Sequence, residues 1–148
     1  MVSLLDVNLL IALAWPSHVH HSPALRWFKQ NQAKGWATCP VTQSGFVRIS
    51  SNPRISPDIR TPQEALALLK RIVALPHHVF WPDDISIADS ELLDAGRLQG
   101  HRQVTDAHLV ALALARKGRL ATLDAGVKNL VPKSYAGAES VCLITGSG

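Results

Sequence analysis

The 148-residue sequence predicts an α/β fold: a parallel sheet of four or five strands covered by helices on both faces. Three observations carry this. The segments 2–5, 36–39 and 120–123 are short, nearly continuous apolar runs, the pattern of strands buried on both faces. Such runs alternate with stretches of helical period. The length suits one domain with a substantial core.

Residues 2–5 form the first apolar run. Residues 8–15 are apolar nearly all round and read as a buried helix stopped by Pro16. Ser22 reads as an N-cap, with Pro23 at the first helical position and Leu25, Trp27 and Phe28 on the apolar face of a helix running to about Gln32. Gly35 breaks it, and residues 36–39 read as a second strand closed by Pro40. Thr42 is placed to cap a helix running to Arg48 or Ser50. Three prolines and two arginines make residues 50–62 a loop. Thr61 and Pro62 open the next helix, with Glu64 at the capping-box position. Its stripe is Ala65, Leu66, Leu68, Leu69, Ile72 and Val73. Residues 78–81 read as a third strand and 87–98 as a helix. Thr105 caps a further helix, which stops at Lys117 and Gly118. Residues 120–123 and 140–144 complete the strands.

Hydrophobic residues make up 47% of the chain, with 9 Gly and 9 Pro, a globular composition. The two cysteines, Cys39 and Cys142, form no disulfide framework or C-x-x-C site and read as reduced, in a cytoplasmic protein. The longest uncharged apolar runs fall far short of a membrane span, and Asp6 interrupts the N-terminal one, which excludes a signal peptide. The net charge of +4 suits a polyanionic partner. Asp6 is the sole acid before Asp58, although Arg26, Lys29, Lys34, Arg48 and Arg54 share that interval.

Asp6 and Asp124 each close an apolar strand, and Asp106 lies in the first turn of a helix. Taken singly, each is more readily a turn or cap residue. In an open parallel sheet, however, strand C-terminal ends and the following helix starts share one edge, where ligands bind. Three carboxylates on that edge repel one another and call for a counter-cation. A set without Cys or a convincing His cluster selects Mg²⁺ or Mn²⁺, ions that activate water against a phosphodiester. On a basic protein this suggests a nuclease.

The segments "LLDVNLLIAL", "VTQSGFVRI", "VTDAHLVALA" and "LATLDAG" together resemble the PIN-domain ribonucleases, most closely the VapC-type toxins of bacterial toxin–antitoxin pairs. The resemblance runs through the chain in order. It implies a three-layer α/β/α sandwich and an Mg²⁺- or Mn²⁺-dependent endoribonuclease acting on RNA. It also implies a homodimer restrained by a small cognate antitoxin. The first, third and fourth acids of the family correspond to Asp6, Asp106 and Asp124, and Thr122 to a hydroxyl that orients the site. Asn8 is placed to hold a metal-bound water. The family's second acid is replaced by Gln43. Three explanations stand: a natural variant with one good metal site, a weakened nuclease, or an engineered Glu→Gln change.

Arg48 and His108 are candidate RNA contacts, His108 being more readily a packed or surface residue. The histidines from His18 to His21 read as a loop or cap, and Asp83, Asp84 and Asp89 as loop or cap residues. Trp15, Trp27, Trp36 and Trp81 are assigned to the core. Leu9, Leu10, Leu13, Phe46 and Ile49 exceed what one core clearly needs, and some are candidates for an antitoxin groove. A dehalogenase-type phosphatase would want a second acid two residues after Asp6, where Asn8 stands. A catalytically weakened PIN scaffold that only binds, and an RNA-processing PIN nuclease without antitoxin, stand as alternatives.

Overall fold

The computed structural model describes residues 1–55, 61–135 and 139–146. Five strands, β1 (Ser3–Leu5), β2 (Trp36–Thr38), β3 (His78–Phe80), β4 (Arg119–Thr122) and β5 (Val141–Leu143), form one sheet in the order β3-β2-β1-β4-β5. Every neighbouring pair is parallel. The order reverses direction between β1 and β4, so the crevice beyond their C-terminal ends is the topological switch point.

The helices are α1 (Val7–Ala14), α2 (His21–Asn31), α3 (Pro40–Ser50), α4 (Pro62–Val73) and α5 (Val104–Ala115). One face of the sheet packs Leu5, Trp36 and Ala121 against α1 to α4 through Leu9, Phe28, Phe46 and Leu69. The other packs Leu4, Ala37 and Leu120 against α5 through Leu109, Val110 and Leu112. These are the three layers expected. Cys39 and Cys142 are both free. No helix among the described residues is long and apolar enough to cross a membrane.

Several local readings change. The helix expected over residues 87–98 is absent; only a 3-10 turn, Ala95–Arg97, forms there. Ser90 Oγ accepts from the Leu92 amide and Asp94 Oδ1 from the Gly96 amide, so side chains take donors that a helix would have used. α3 begins at Pro40, not after Thr42. The Thr42 hydroxyl instead accepts from the Cys39 amide at 3.0 Å, and Pro40 occupies the first turn, where its missing N–H costs nothing. α2 begins at His21 without a side-chain cap, which puts Ser22 inside its first turn. α5 begins at Val104, continuing a 3-10 turn over His101–Gln103, so Thr105 is internal. Thr61 caps α4 as expected, its hydroxyl accepting from the Glu64 amide. Part of the loop expected over 50–62 lies outside the described residues.

The stop after α5 works differently from the glycine signal that announced it. Lys117, with φ 55°, takes the left-handed position. The Gly118 amide bonds Ala113 O and the Lys117 amide bonds Leu114 O, a Schellman closure. Gly118 serves close approach: a Cβ there would lie 2.6 Å from both Val2 O and the Trp81 ring. Trp36 and Trp81 are buried, whereas Trp15 and Trp27 are only partly so.

Candidate active site

The C-terminal edge of β1 and β4 gathers the three aspartates. Asp6 is the N-cap of α1. Its Oδ1 accepts from the Val7 amide at 2.7 Å, and its Oδ2 accepts from the Thr122 hydroxyl at 2.7 Å. Asp6 is 5% exposed. Burial pushes its carboxyl above the ordinary range; the Thr122 and Val7 hydrogen bonds pull it back, and Asp124 adds a further upward push. Asp124 caps the 3-10 helix Ala125–Leu130, its Oδ1 accepting from the Gly126 amide at 2.8 Å. Its own amide donates to Thr122 Oγ1 at 3.1 Å, so one buried hydroxyl bridges both strand ends.

Asp106 lies in the first turn of α5, half-buried, and makes no hydrogen bond among the described residues. Its carboxyl is pushed up to about 6, first by burial and then by the charges of Asp6 and Asp124. Thr122 joins Asp6 to the Asp124 backbone, and Asp106, in the first turn of α5, is close enough to feel the charges of both. Among the described residues no three His, Cys, Asp or Glu side chains close round a single point. The donors nonetheless fit a hard divalent ion: Mg²⁺ is ordinarily held by one or two carboxylates and keeps several waters. The unpartnered Asp106 carboxyl beside the buried Asp6 supplies such a set.

The remaining candidates are tied elsewhere or stand apart. Asn8 braces the rim, its Oδ1 accepting from the Leu123 amide at 3.4 Å. Gln43 Nε2 donates to Thr38 Oγ1 at 2.9 Å, and Thr38 Oγ1 lies 2.7 Å from His78 Nε2. Arg48 is exposed on α3 and forms no ion pair among the described residues. It lines an open groove of about 560 Å³ between α3 and α4 with Gln43, Ser44, Val47 and Leu66. His108 Nε2 lies 2.9 Å from Asp83 Oδ2, and Arg116 binds Asp84 and Pro82 O. Together they pin the segment after β3 to α5. Asp83 is therefore largely shielded and hydrogen-bonded to His108, not a solvated loop acid. The His18 and His20 rings meet at a tilt of 45° just before α2, where the His20 amide donates to His18 Nδ1. Sequence reading missed Thr38 and His78; a hydroxyl ending an otherwise apolar strand was the available signal.

The parallel sheet with helices on both faces and aspartates at its switch point is an α/β sandwich with a carboxylate-lined edge, and the chain belongs to the PIN-domain family, whose model matches residues 3–131. Among curated relatives, it is 50% identical over 127 residues to Ribonuclease VapC39 of Mycobacterium tuberculosis, covering 86% of this chain and 91% of that protein. It is 48% identical over 129 residues to Ribonuclease VapC38 of the same species, covering 87% and 89%. To Ribonuclease VapC44 the identity is 44% over 127 residues, covering 86% and 89%.

Proposed function

We propose that this chain is a metal-dependent endoribonuclease, the toxin of a toxin–antitoxin pair, hydrolysing RNA phosphodiester bonds in the cytoplasm. The observation that carries it is the C-terminal edge where the buried Asp6, bonded by Thr122, lies beside Asp124, and where the charges of Asp6 and Asp124 push the Asp106 carboxyl up. The names of the VapC relatives support the same reading. Asp6 and Asp106 would hold Mg²⁺ or Mn²⁺, with Asp124 beside them. The bound ion would supply Lewis acidity and an activated water. Thr122 favours the ionised form of the Asp6 carboxyl and aims it by donating to it, and Asn8 steadies the β4 end on which Asp124 sits. Arg48 and the surplus positive charge draw the RNA backbone.

Leu9, Leu10 and Phe46 are wholly buried, so they serve the core and no partner groove. The antitoxin's apolar segment is better matched by the α3–α4 groove and by a recess of about 110 Å³ lined by Leu13, Leu25, Trp36, Ile72 and Leu75. A cation from the antitoxin would neutralise the acidic rim, and the enzyme would work as a homodimer. The engagement of Gln43 with Thr38 favours a second reading, a weakened scaffold that binds RNA without cutting it.

Purified protein incubated with single-stranded RNA should cut it in Mn²⁺ or Mg²⁺ and stop in EDTA. Asp6→Asn should be inactive. RNA binding without cleavage in either metal would select the weakened scaffold, and cleavage surviving EDTA would remove the metal from the reading. Co-expression with the adjacent open reading frame tests the partner: products that neither co-purify nor relieve growth arrest would end the toxin–antitoxin assignment.

A further inference from the structure

Gln43 stands where the family resemblance expects an acid, yet its amide nitrogen is engaged with a hydroxyl. Three groups form a chain: Gln43 Nε2 donates to Thr38 Oγ1 at 2.9 Å, and Thr38 Oγ1 meets His78 Nε2 at 2.7 Å. Thr38 is fully buried at the end of β2, and His78 lies on the neighbouring edge strand, its ring centroid 4.7 Å from that of Trp36.

A hydroxyl has one proton to give. The buried Thr38 hydroxyl accepts from the Gln43 amide and has His78 Nε2 as its other partner among the described residues, so satisfying its own proton directs it to His78 Nε2. His78 is then neutral and carries its hydrogen on Nδ1. Burial pushes the His78 imidazole below its ordinary range, and no charged side chain contributes to that shift. The groups packed on it from β2 are Trp36 and Thr38, both uncharged. The chain is therefore polarised throughout.

We infer that Thr38 and His78 are positioning residues that hold the Gln43 amide nitrogen inward and turn its carbonyl oxygen toward the α3–α4 groove. Position 43 then offers an acceptor, suited to an N–H group or a cation. A phosphate oxygen would be turned away. Protonating His78 reverses the chain: the imidazolium donates to Thr38, Thr38 donates to Gln43 Oε1, and the NH₂ faces the groove. A glutamate at position 43 would impose the same reversal at neutral pH, because a carboxylate only accepts. This inference rests on the ribonuclease reading for its catalytic consequence, while the chain itself is observable without activity.

The test combines ¹⁵N NMR of His78 with RNA cleavage. At about pH 7.5 the wild-type ring should show the Nδ1–H tautomer, and titration through the His78 pKa should shift the Gln43 side-chain amide signals. Gln43→Glu should move the hydrogen to Nε2. Thr38→Val should uncouple the two signals and lower RNA cleavage by about three- to tenfold, the worth of one hydrogen bond, with Thr38→Ser restoring both. An Nε2–H tautomer in the wild type, or amide signals indifferent to His78 protonation, would overturn the chain. Coupled signals with undiminished cleavage in Thr38→Val would overturn the positioning role. If the wild type cuts no RNA, the ribonuclease reading fails and the NMR result alone decides the chain.

Discussion

Removing one charge from the acidic rim should stabilise the protein when no cation is present. Asp106 is the informative position because its carboxyl has no hydrogen bond to lose among the described residues. Its proton affinity rises from 3.8 to about 6 on folding. At about 1.4 kcal/mol per unit, that bounds the destabilisation at neutral pH near 3 kcal/mol. The group is only half-buried, and solvent screening cuts this to roughly 1–1.5 kcal/mol. Asp106→Asn also forfeits a favourable charge in the first turn of α5, about 0.3–1 kcal/mol. Taken at their midpoints these leave a net gain of about 0.6 kcal/mol, and at their limits about 0–1.2 kcal/mol. For a chain of this size the midpoint is about 1–2 °C in Tm.

The sign with pH is fixed. The folded pKa lies above the unfolded one, so the protonated group favours the folded state below pH 3.8, and that contribution is lost as pH rises to about 6. The gap between Asp106→Asn and wild type, measured by thermal denaturation in EDTA, should be near zero at about pH 4 and full by about pH 7. Adding Mn²⁺ should reverse the order, because only the wild type gains from binding the ion. A variant no more stable than wild type in EDTA at neutral pH, or a gap that does not change with pH, would refute the reading that burial and the neighbouring Asp6 and Asp124 charges disfavour the ionised Asp106 carboxyl.

Thr122→Val leaves Asp6 without its strongest hydrogen bond. It should cost about 1.5–3 kcal/mol in denaturant melts and move the acid limb of the cleavage–pH profile upward, since Asp6 then ionises later. Gly118→Ala should lose about 1–3 kcal/mol by overpacking against Val2 O and Trp81, whereas Lys117→Gly should be neutral or gain about 0.5 kcal/mol by relieving its left-handed backbone. Gly45→Ala meets Val7 Cγ2 at 2.8 Å where α1 crosses α3, and a loss of about 1–3 kcal/mol in the same melts is expected.

The sheet and the acidic rim were legible because both depend on local pattern. An apolar run ending in aspartate marks a strand's C-terminal end, and parallel topology sends all such ends to one edge. The supports of the rim were less legible. Thr122 and Asp6 meet across 116 residues, and Thr38 meets His78 across 40, so their partners are decided by strand register. The expected helix over 87–98 failed for a competing local reason: Ser90 and Asp94 cap their own turns. The glycine after α5 was a true stop signal with a different cause, since steric room, not backbone freedom, requires it.

The central place of β1 bears on how the protein is made. β1 is made before its neighbours yet lies between β2 and β4, and the aspartate that follows it receives the Thr122 hydroxyl from 116 residues further along the chain. A nascent chain emerging in order can pair β1 with β2 early. The β4 side of β1 stays an open edge until more than a hundred further residues have left the ribosome. Products that end before β4 therefore lack Thr122 and Asp124 together. The acidic edge is thus completed only when β4 has paired with β1, so its assembly reports on nearly the whole chain having been made.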